Sequence, residues 1–221
     1  MAVIHRTTIK PTKLELLTTW LPTRPWYRDG AGEPQLAKAG GFRLDDPEGE
    51  VGIEFMVVTD TSGPEPTTYL VPMTYRGAPL DGAEHALVGT MEHGVLGQRW
   101  VYDGFHDQVL NTELLALIEG RVQAQAQSTT DTPNLDVTRS YTGEGRIATG
   151  STTATTDNNE GTELTTPHGA TLHVHRVLRP AADDSPLPPQ GATGHVAGAW
   201  DLPDGTRAQG LFATLRPGPQ A

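Results

Sequence analysis

Alternating apolar and polar residues predict most of the strands in this chain. Residues 51–57 read VGIEFMV, and apolar side chains at every second position are typical of a half-buried strand. A second alternating run follows at 69–75 after the turn sequence GPEP, so the two runs predict an antiparallel hairpin. Pro72 lies inside the second run, and we expect it at a sheet edge or a bulge because proline has no N–H to donate. Shorter runs predict strands at 2–9 and 98–103.

Two segments have the periodicity of helices. Residues 12–21 begin with the capping-box sequence TKLE, place apolar residues on one face, and are followed by Pro22, which ends a helix. The second segment, 107–119, carries a leucine-rich stripe. Asp107 suits its N-cap and Gly120 suits its C-cap.

A change in composition divides the chain into two parts. Gln, Ser, Thr and Asp replace apolar residues between 121 and 133. We therefore predict an α+β domain at 1–125 and a β-rich part at 126–221, which can continue the first sheet. Further strands are predicted in the second part at 170–178, at 195–200 and at 206–215, the last two joined by the turn sequence PDG. The predicted fold class is α+β, with antiparallel strands dominant.

Two segments are less clearly patterned. Residues 22–41 are rich in proline and glycine and are predicted to form an irregular loop with a short helical piece. Residues 151–166 are rich in threonine, which is compatible with a disordered low-complexity segment or with a polar β-hairpin turning at 157–161. We favour the hairpin because threonine forms strands well and Asn and Gly form turns.

The charge and composition exclude several classes of function. The formal net charge is −11, with lysine only at positions 10, 13 and 38, so the chain lacks the basic surface that nucleic acids or anionic lipids require. There is no cysteine, which excludes disulfides and cysteine-ligated metals. The N-terminus does not read as a signal peptide, and no apolar run is long enough to span a membrane. We expect a cytoplasmic protein.

No catalytic motif is recognised. The serines lie outside any G-x-S-x-G sequence, and the phosphate-binding and kinase motifs are missing from the chain. His173 and His175 point to one face of a predicted strand and could begin a metal site, but residues 176–182 supply no carboxylate. We therefore predict two partly exposed histidines and no metal. A second group has no recognised ligand spacing and is expected in loops and caps: His85, Glu92, His93, His106 and Asp107. No catalytic, metal or cofactor residue is predicted. Whether the chain is an enzyme stays open: a non-catalytic role is favoured over an enzyme of unrecognised type centred on His173 and His175.

The aromatic residues offer a candidate surface. Trp20 and Trp100 lie in predicted regular elements and are expected in the core. Trp26 and Tyr27 lie in a loop flanked by proline, where exposed rings can contact a sugar or a protein. Together with the expected sheet edge at Pro72, they form the predicted ligand or partner surface.

Four segments resemble the N-terminal cap of actinobacterial maltokinases. They are residues 1–21, GIEFMVV at 52–58, YLVPMTYR at 69–76 and RWVYD at 99–103. In that family the cap is a curved antiparallel sheet with helices, somewhat cystatin-like, ahead of a bilobal kinase that phosphorylates maltose with ATP. The chain looks most like the free-standing cap-like proteins of similar length, and the kinase lobes are absent from its sequence. No catalytic residue is therefore carried over.

The resemblance implies a place in the metabolism of maltose, trehalose and α-glucans. We expect a non-catalytic cap-like protein that binds a partner protein or a ligand in this metabolism or in amino-sugar phosphorylation. The expected partner is a sugar kinase or another α-glucan enzyme. The alternative is a small carbohydrate-binding module whose exposed aromatic residues contact a sugar. A homodimer that buries a sheet edge is compatible with the many half-exposed strands.

Overall fold

Antiparallel strands dominate the computed structural model, which describes residues 8–28, 32–147, 154–182 and 187–218. The strands are β1 (Ile9–Lys10), β2 (Leu36–Asp45), β3 (Gly52–Asp60), β4 (Thr67–Arg76), β5 (Leu87–His93), β6 (Gly97–Asp103), β7 (Thr138–Tyr141), β8 (Ala154–Asp157), β9 (Gly161–Thr165), β10 (Thr171–His175), β11 (Gly194–Asp201) and β12 (Arg207–Arg216). The helices are α1 (Lys13–Trp20) and α2 (Gln108–Glu119). Neither helix has the length and apolar character needed to cross a bilayer, as judged over the described ranges.

These strands form one curved, open sheet. Its order is β1-β5-β6-β4-β3-β2-β11-β12-β10-β9-β8, and β7 pairs with β11. The N-terminal and C-terminal strands meet where β2 pairs with β11 at Gly40 and Trp200. Gly40 has a φ of 154°, a backbone conformation that residues with a Cβ rarely adopt, so glycine suits this meeting point of the strands. The predicted α+β fold with a curved antiparallel sheet is confirmed.

The first helix begins as its sequence predicts. Thr12 Oγ1 accepts a hydrogen bond from the Glu15 N–H at 3.2 Å, and Glu15 Oε2 accepts one from the Thr12 N–H at 2.6 Å. These two bonds are the reciprocal capping box. Pro22 lies in a 3-10 turn, Leu21–Thr23, directly after α1.

The second helix is also bounded by its predicted caps. Asp107 Oδ1 accepts a hydrogen bond from the Val109 N–H at 3.1 Å. Gly120 ends the helix in the left-handed conformation with φ 78°, which a residue with a Cβ rarely adopts.

Two hydrophobic cores lie on opposite faces of the sheet, because successive side chains of a strand point to opposite sides. The core beside α1 includes Leu17, Trp20, Leu21, Trp26, Met56, Val58, Tyr69, Val71 and Met73. The core beside α2 includes Phe42, Phe55, Leu110, Leu114, Ile118, Val196, Trp200 and Phe212. The α2 core takes side chains from β2 and β3 as well as from β11 and β12, so both parts of the chain share it.

The sequence analysis misses β2, β5 and β7. It predicts a loop through 22–41, whereas β2 begins at Leu36. Residues 36–41 read LAKAGG, which is weak strand sequence with no alternation. This stretch is extended because it pairs with β3, with a register shift between Lys38 and Gly40. Tertiary pairing therefore overrides local preference here.

The polar hairpin in the C-terminal part is confirmed. β8 pairs with β9 in antiparallel register, and residues 151–153 of the predicted segment lie outside the described residues. β11 and β12 are joined by the predicted PDG turn. Of the predicted strand at 2–9, residues 1–7 also lie outside the described residues, and Ile9 begins β1. The division into domains at 125/126 stays a prediction.

Candidate functional site

A cleft of about 440 Å³ opens where β3 begins and β4 ends, and we call it the Glu54 cleft. Glu54 and Tyr75 lie on these two strands and line it. The end of the β5–β6 hairpin contributes Met91, Leu96 and Arg99, and the turn at 46–51 between β2 and β3 lies on the other side. Its volume is in the range of small-molecule pockets, which is about 300–1,000 Å³.

Glu54 is buried and is surrounded by polar side chains in this cleft. Lys13 Nζ lies 2.5 Å from Glu54 Oε2, and the Tyr75 hydroxyl donates to the same oxygen at 2.6 Å. The Gln127 side-chain amide donates to Oε1 at 2.9 Å. The carboxylate therefore has three side-chain donors from three separate segments of the chain.

These contacts keep Glu54 ionised. Burial alone would raise its pKa, but the Lys13 ammonium and the hydrogen bonds from Lys13 and Tyr75 lower that pKa below its ordinary value. Burial and the neighbouring Glu54 charge raise the pKa of Tyr75. Tyr75 therefore remains a neutral donor beside a permanent carboxylate, an arrangement suited to binding polar groups.

Backbone contacts shape the turn on the other side of the cleft. The buried Asp46 carboxylate accepts hydrogen bonds from the N–H groups of Glu48 at 3.1 Å, Glu50 at 2.9 Å and Val51 at 2.9 Å. Three backbone donors on one carboxylate fix the turn as an Asx-type loop. Glu50 itself is exposed at the edge of the cleft.

Exposed aliphatic side chains lie at the end of the β5–β6 hairpin beside the cleft. Val95 is 58% exposed and Leu96 is 46% exposed, although both are apolar. Leu96 also lines the cleft. An apolar hairpin end beside a polar cleft combines the two kinds of surface found in protein contacts.

The predicted surface at Trp26 and Tyr27 is largely inside the protein. Trp26 is 1% exposed, with its ring 5.8 Å from that of Trp20 and 6.0 Å from that of Tyr69. The half-buried Tyr27 stacks on Tyr69, and its hydroxyl donates to Asp60 Oδ2 at 2.8 Å. Burial and the Asp60 contact raise the pKa of Tyr27 to about 12. That these residues contact a ligand or partner stays a prediction.

Pro72 is buried inside the sheet. β4 lies between β3 and β6, and Pro72 pairs with Phe55 without a register shift, so the predicted position at an edge or a bulge is wrong. On the β6 side, pairing starts only at Met73, while the Leu70 N–H donates to the Arg176 carbonyl at 2.9 Å. Pro72 falls between these two partners, where the missing N–H has little cost. That Pro72 belongs to a ligand or partner surface stays a prediction.

Two pairs of histidines are in ring contact among the described residues. His173 and His175 lie half-buried on one face of β10, with their rings 4.7 Å apart. His173 Nδ1 lies 3.5 Å from Glu163 Oε1 on the neighbouring strand β9. His85 Nε2 and His106 Nδ1 are 3.1 Å apart. Over the described ranges, no three His, Asp or Glu side chains are placed to bind a metal ion.

The strands around the Glu54 cleft lie in a segment of the chain that matches a known protein family. Residues 20–107 match the maltokinase N-terminal cap domain. This match confirms the resemblance seen in the sequence, and we call residues 20–107 the cap segment. It includes Glu54, Tyr75 and the β5–β6 hairpin, whereas α2 and β7–β12 lie outside it. None of the curated proteins matches the chain.

Sequence analysis misses the key residues of the Glu54 cleft. Within the cap segment, Glu54 follows Ile53 and precedes Phe55 in an otherwise apolar strand, and a lone inward carboxylate there is a usable signal. Its partners Lys13 and Gln127 lie 41 and 73 residues away and outside the cap segment. No spacing rule connects residues so far apart.

Proposed function

We propose that this protein is a non-catalytic, cap-like binding protein of maltose, trehalose or α-glucan metabolism that associates with a sugar kinase or another α-glucan enzyme. The observation that carries the proposal is the match of residues 20–107 to the maltokinase N-terminal cap domain. The chain contains neither a G-x-x-x-x-G-K-[ST] sequence nor the H-R-D and D-F-G pair used for phosphoryl transfer. Binding is therefore a better assignment than catalysis.

The contact surface that we propose is the end of the β5–β6 hairpin together with the Glu54 cleft. Exposed Val95 and Leu96 supply apolar area, and the adjoining cleft supplies polar groups of both signs. Interfaces commonly combine an apolar centre with a polar rim. A partner segment can cover the hairpin end while one of its polar side chains enters the cleft.

A carbohydrate-binding module is the alternative function. It requires aromatic rings exposed for contact with sugar rings. Trp20, Trp26 and Trp200 are 5%, 1% and 1% exposed, which gives this alternative less support than partner binding. Titration with maltose and a longer glucan distinguishes it, because only this alternative requires saturable sugar binding.

The proposal is tested by affinity capture from a native extract of the source organism, with mass spectrometry of the bound proteins. The tagged wild-type chain is compared with Leu96→Asp and with the control Leu135→Asp, whose leucine is 88% exposed outside the cap segment. We expect wild type and Leu135→Asp to retain an enzyme acting on maltose, trehalose or an α-glucan, and Leu96→Asp to lose it. Equal recovery by all three chains would reject the hairpin surface, and recovery of no such enzyme would reject the function.

A further inference from the structure

A second cleft, of about 540 Å³, lies between the loop after α1 and the strands β10 and β12. Its lining includes Arg28 from the loop and Arg179 from the segment after β10, and we call it the arginine cleft. The chain as a whole has a net charge of −11, so two guanidinium groups at one cleft are a local departure from its acidic character.

Backbone contacts anchor the main chain at or next to both arginines. The Arg28 N–H donates to the Tyr69 hydroxyl oxygen at 3.0 Å, and that hydroxyl donates to the Arg28 carbonyl at 3.3 Å. Beyond Arg179, the Ala181 N–H donates to the Gln209 carbonyl at 2.7 Å. The Arg179 carbonyl also packs against Gly210, where a Cβ atom would collide with it. The side chains are thus exposed while their attachment points are anchored.

Among the residues that the structure describes, no carboxylate is placed against either guanidinium group of the arginine cleft. Within the described parts of the chain, the arginines that pair with carboxylates are Arg76, Arg121, Arg176 and Arg207. Arg28 and Arg179 form no such pair among these residues. Arginine binds planar or tetrahedral oxyanions through paired N–H donors, so two guanidinium groups that lack a carboxylate partner among the described residues favour an anionic ligand.

The histidines of β10 add neutral polar groups to the same cleft. Burial, the neighbouring His173 and the positive charges of Arg179 and Arg216 lower the pKa of His175 to about 4. His175 is therefore an uncharged imidazole at neutral pH and can donate or accept a hydrogen bond. Asn159 and Glu160, from the turn between β8 and β9, contribute an amide and a carboxylate.

We propose that the arginine cleft binds a phosphate monoester of a small polyhydroxylated molecule. The two guanidinium groups balance the charge of the phosphate, which approaches two negative charges at neutral pH. Asn159 and Glu160 can accept hydrogen bonds from hydroxyl groups, and Glu160 disfavours a second anionic group on the ligand. This site lies outside the Glu54 cleft and does not depend on the proposed partner.

Isothermal titration calorimetry of the full chain tests the proposal with glucose 6-phosphate, inorganic phosphate, glucose and citrate as probes. We expect glucose 6-phosphate to bind most tightly, phosphate more weakly, and glucose and citrate without detectable heat. Arg28→Gln and Arg179→Gln should each weaken binding of glucose 6-phosphate about tenfold or more, because each removes charge-assisted hydrogen bonds. Arg146→Gln, an exposed arginine outside the cleft, should leave it unchanged.

Several results would overturn the proposal. Absence of binding by both phosphate probes would reject an anion site, and equal binding of citrate would reject the preference for phosphate. Binding that survives both cleft substitutions, or that Arg146→Gln weakens equally, would place the anion elsewhere on the surface. Circular dichroism of each variant confirms that the fold is retained, and failure of this site would leave the hairpin-capture experiment unaffected.

Discussion

The Glu54 cleft and the junction between the two parts of the chain each contain one buried carboxylate paired with a basic side chain. The two ion pairs differ in how far the basic side chain is exposed to solvent. At the junction, Arg176 Nη2 donates to both oxygens of Asp103 at 2.7 Å, and their side chains are only 0% and 1% exposed. At the cleft, Glu54 is equally well bonded, but the side chain of its partner Lys13 is 30% exposed. One ion pair is sealed and the other is open to solvent.

The sealed pair connects the N-terminal and C-terminal parts. Arg176 Nε donates to Thr162 Oγ1 at 2.7 Å in the C-terminal part. Its guanidinium carbon lies 5.0 Å from the centre of the Trp26 ring and 5.4 Å from that of Phe105, both in the N-terminal part. An ion pair closed on all sides serves structure, whereas a similar pair beside an open cleft can also serve binding.

The largest expected effect comes from breaking the sealed pair. Arg176→Met leaves the Asp103 charge buried without an ionic partner, which costs about 3–5 kcal/mol in the free energy of unfolding. Urea unfolding at neutral pH measures this loss. The double variant Arg176→Met with Asp103→Asn should recover part of it, because no buried charge then remains. A loss below about 1 kcal/mol in the single variant would contradict a structural role.

Acid should destabilise the C-terminal part through His175. In the unfolded chain its pKa is the ordinary 6.5, whereas in the folded protein it is about 4 because of burial, His173, Arg179 and Arg216. Between these values the unfolded state binds more protons, so stability falls as pH decreases from 6.5 to about 4. The loss reaches about 3 kcal/mol at the lower limit.

Urea unfolding across this pH window compares wild type with His175→Gln. The variant should lose less stability towards acid because position 175 no longer titrates. His173, whose pKa is lowered by burial despite the Glu163 carboxylate, titrates in both proteins. Parallel curves for the two proteins would show that His175 is not buried as described.

The open pair should contribute less than the sealed one. Glu54→Gln removes the charge facing Lys13, but water can reach the freed ammonium, so we expect a loss of about 1–2 kcal/mol at neutral pH. Because the folded pKa of Glu54 lies below 4.5, its contribution is present above pH 4.5 and is lost as pH falls through the folded pKa. The variant should lack this acid dependence. Exposed Glu50→Gln at the same cleft is the matched control and should change stability by less than about 0.5 kcal/mol.

The smallest change in stability is expected at the end of the hairpin. Leu96→Asp alters a side chain that is 46% exposed, so the free energy of unfolding should change by less than about 0.5 kcal/mol. Thermal unfolding of Leu96→Asp and Leu135→Asp measures this directly. A large loss for Leu96→Asp alone would mean that the leucine packs in the fold and is not an available contact.

Local features of the sequence predict the parts of the fold that local physics determines. The Thr12 capping box, the caps of α2 and the hairpin of β3 and β4 depend on neighbouring residues, and each is confirmed. β2 is missed because its Gly40-Gly41 sequence becomes a strand only by pairing with β3 and β11.

The sealed ion pair and the candidate site both depend on contacts that the sequence pattern does not contain. Arg176 reaches Asp103 from 73 residues away, and Gln127 reaches Glu54 from the same separation. The loop sequence around Trp26 suggests exposure, yet Arg176 and Tyr69 cover the ring. Only the tertiary arrangement decides which polar residues become buried partners and which remain open to a ligand.

The most direct measurement is a titration of the purified chain with purified maltokinase and with purified trehalose- and glucan-converting enzymes of the same organism. We predict saturable binding to one of these enzymes, weakened at least about tenfold by Leu96→Asp and unchanged by Leu135→Asp. Absence of binding to every enzyme, or equal affinities for the wild type and both variants, would contradict a partner contact at the β5–β6 hairpin.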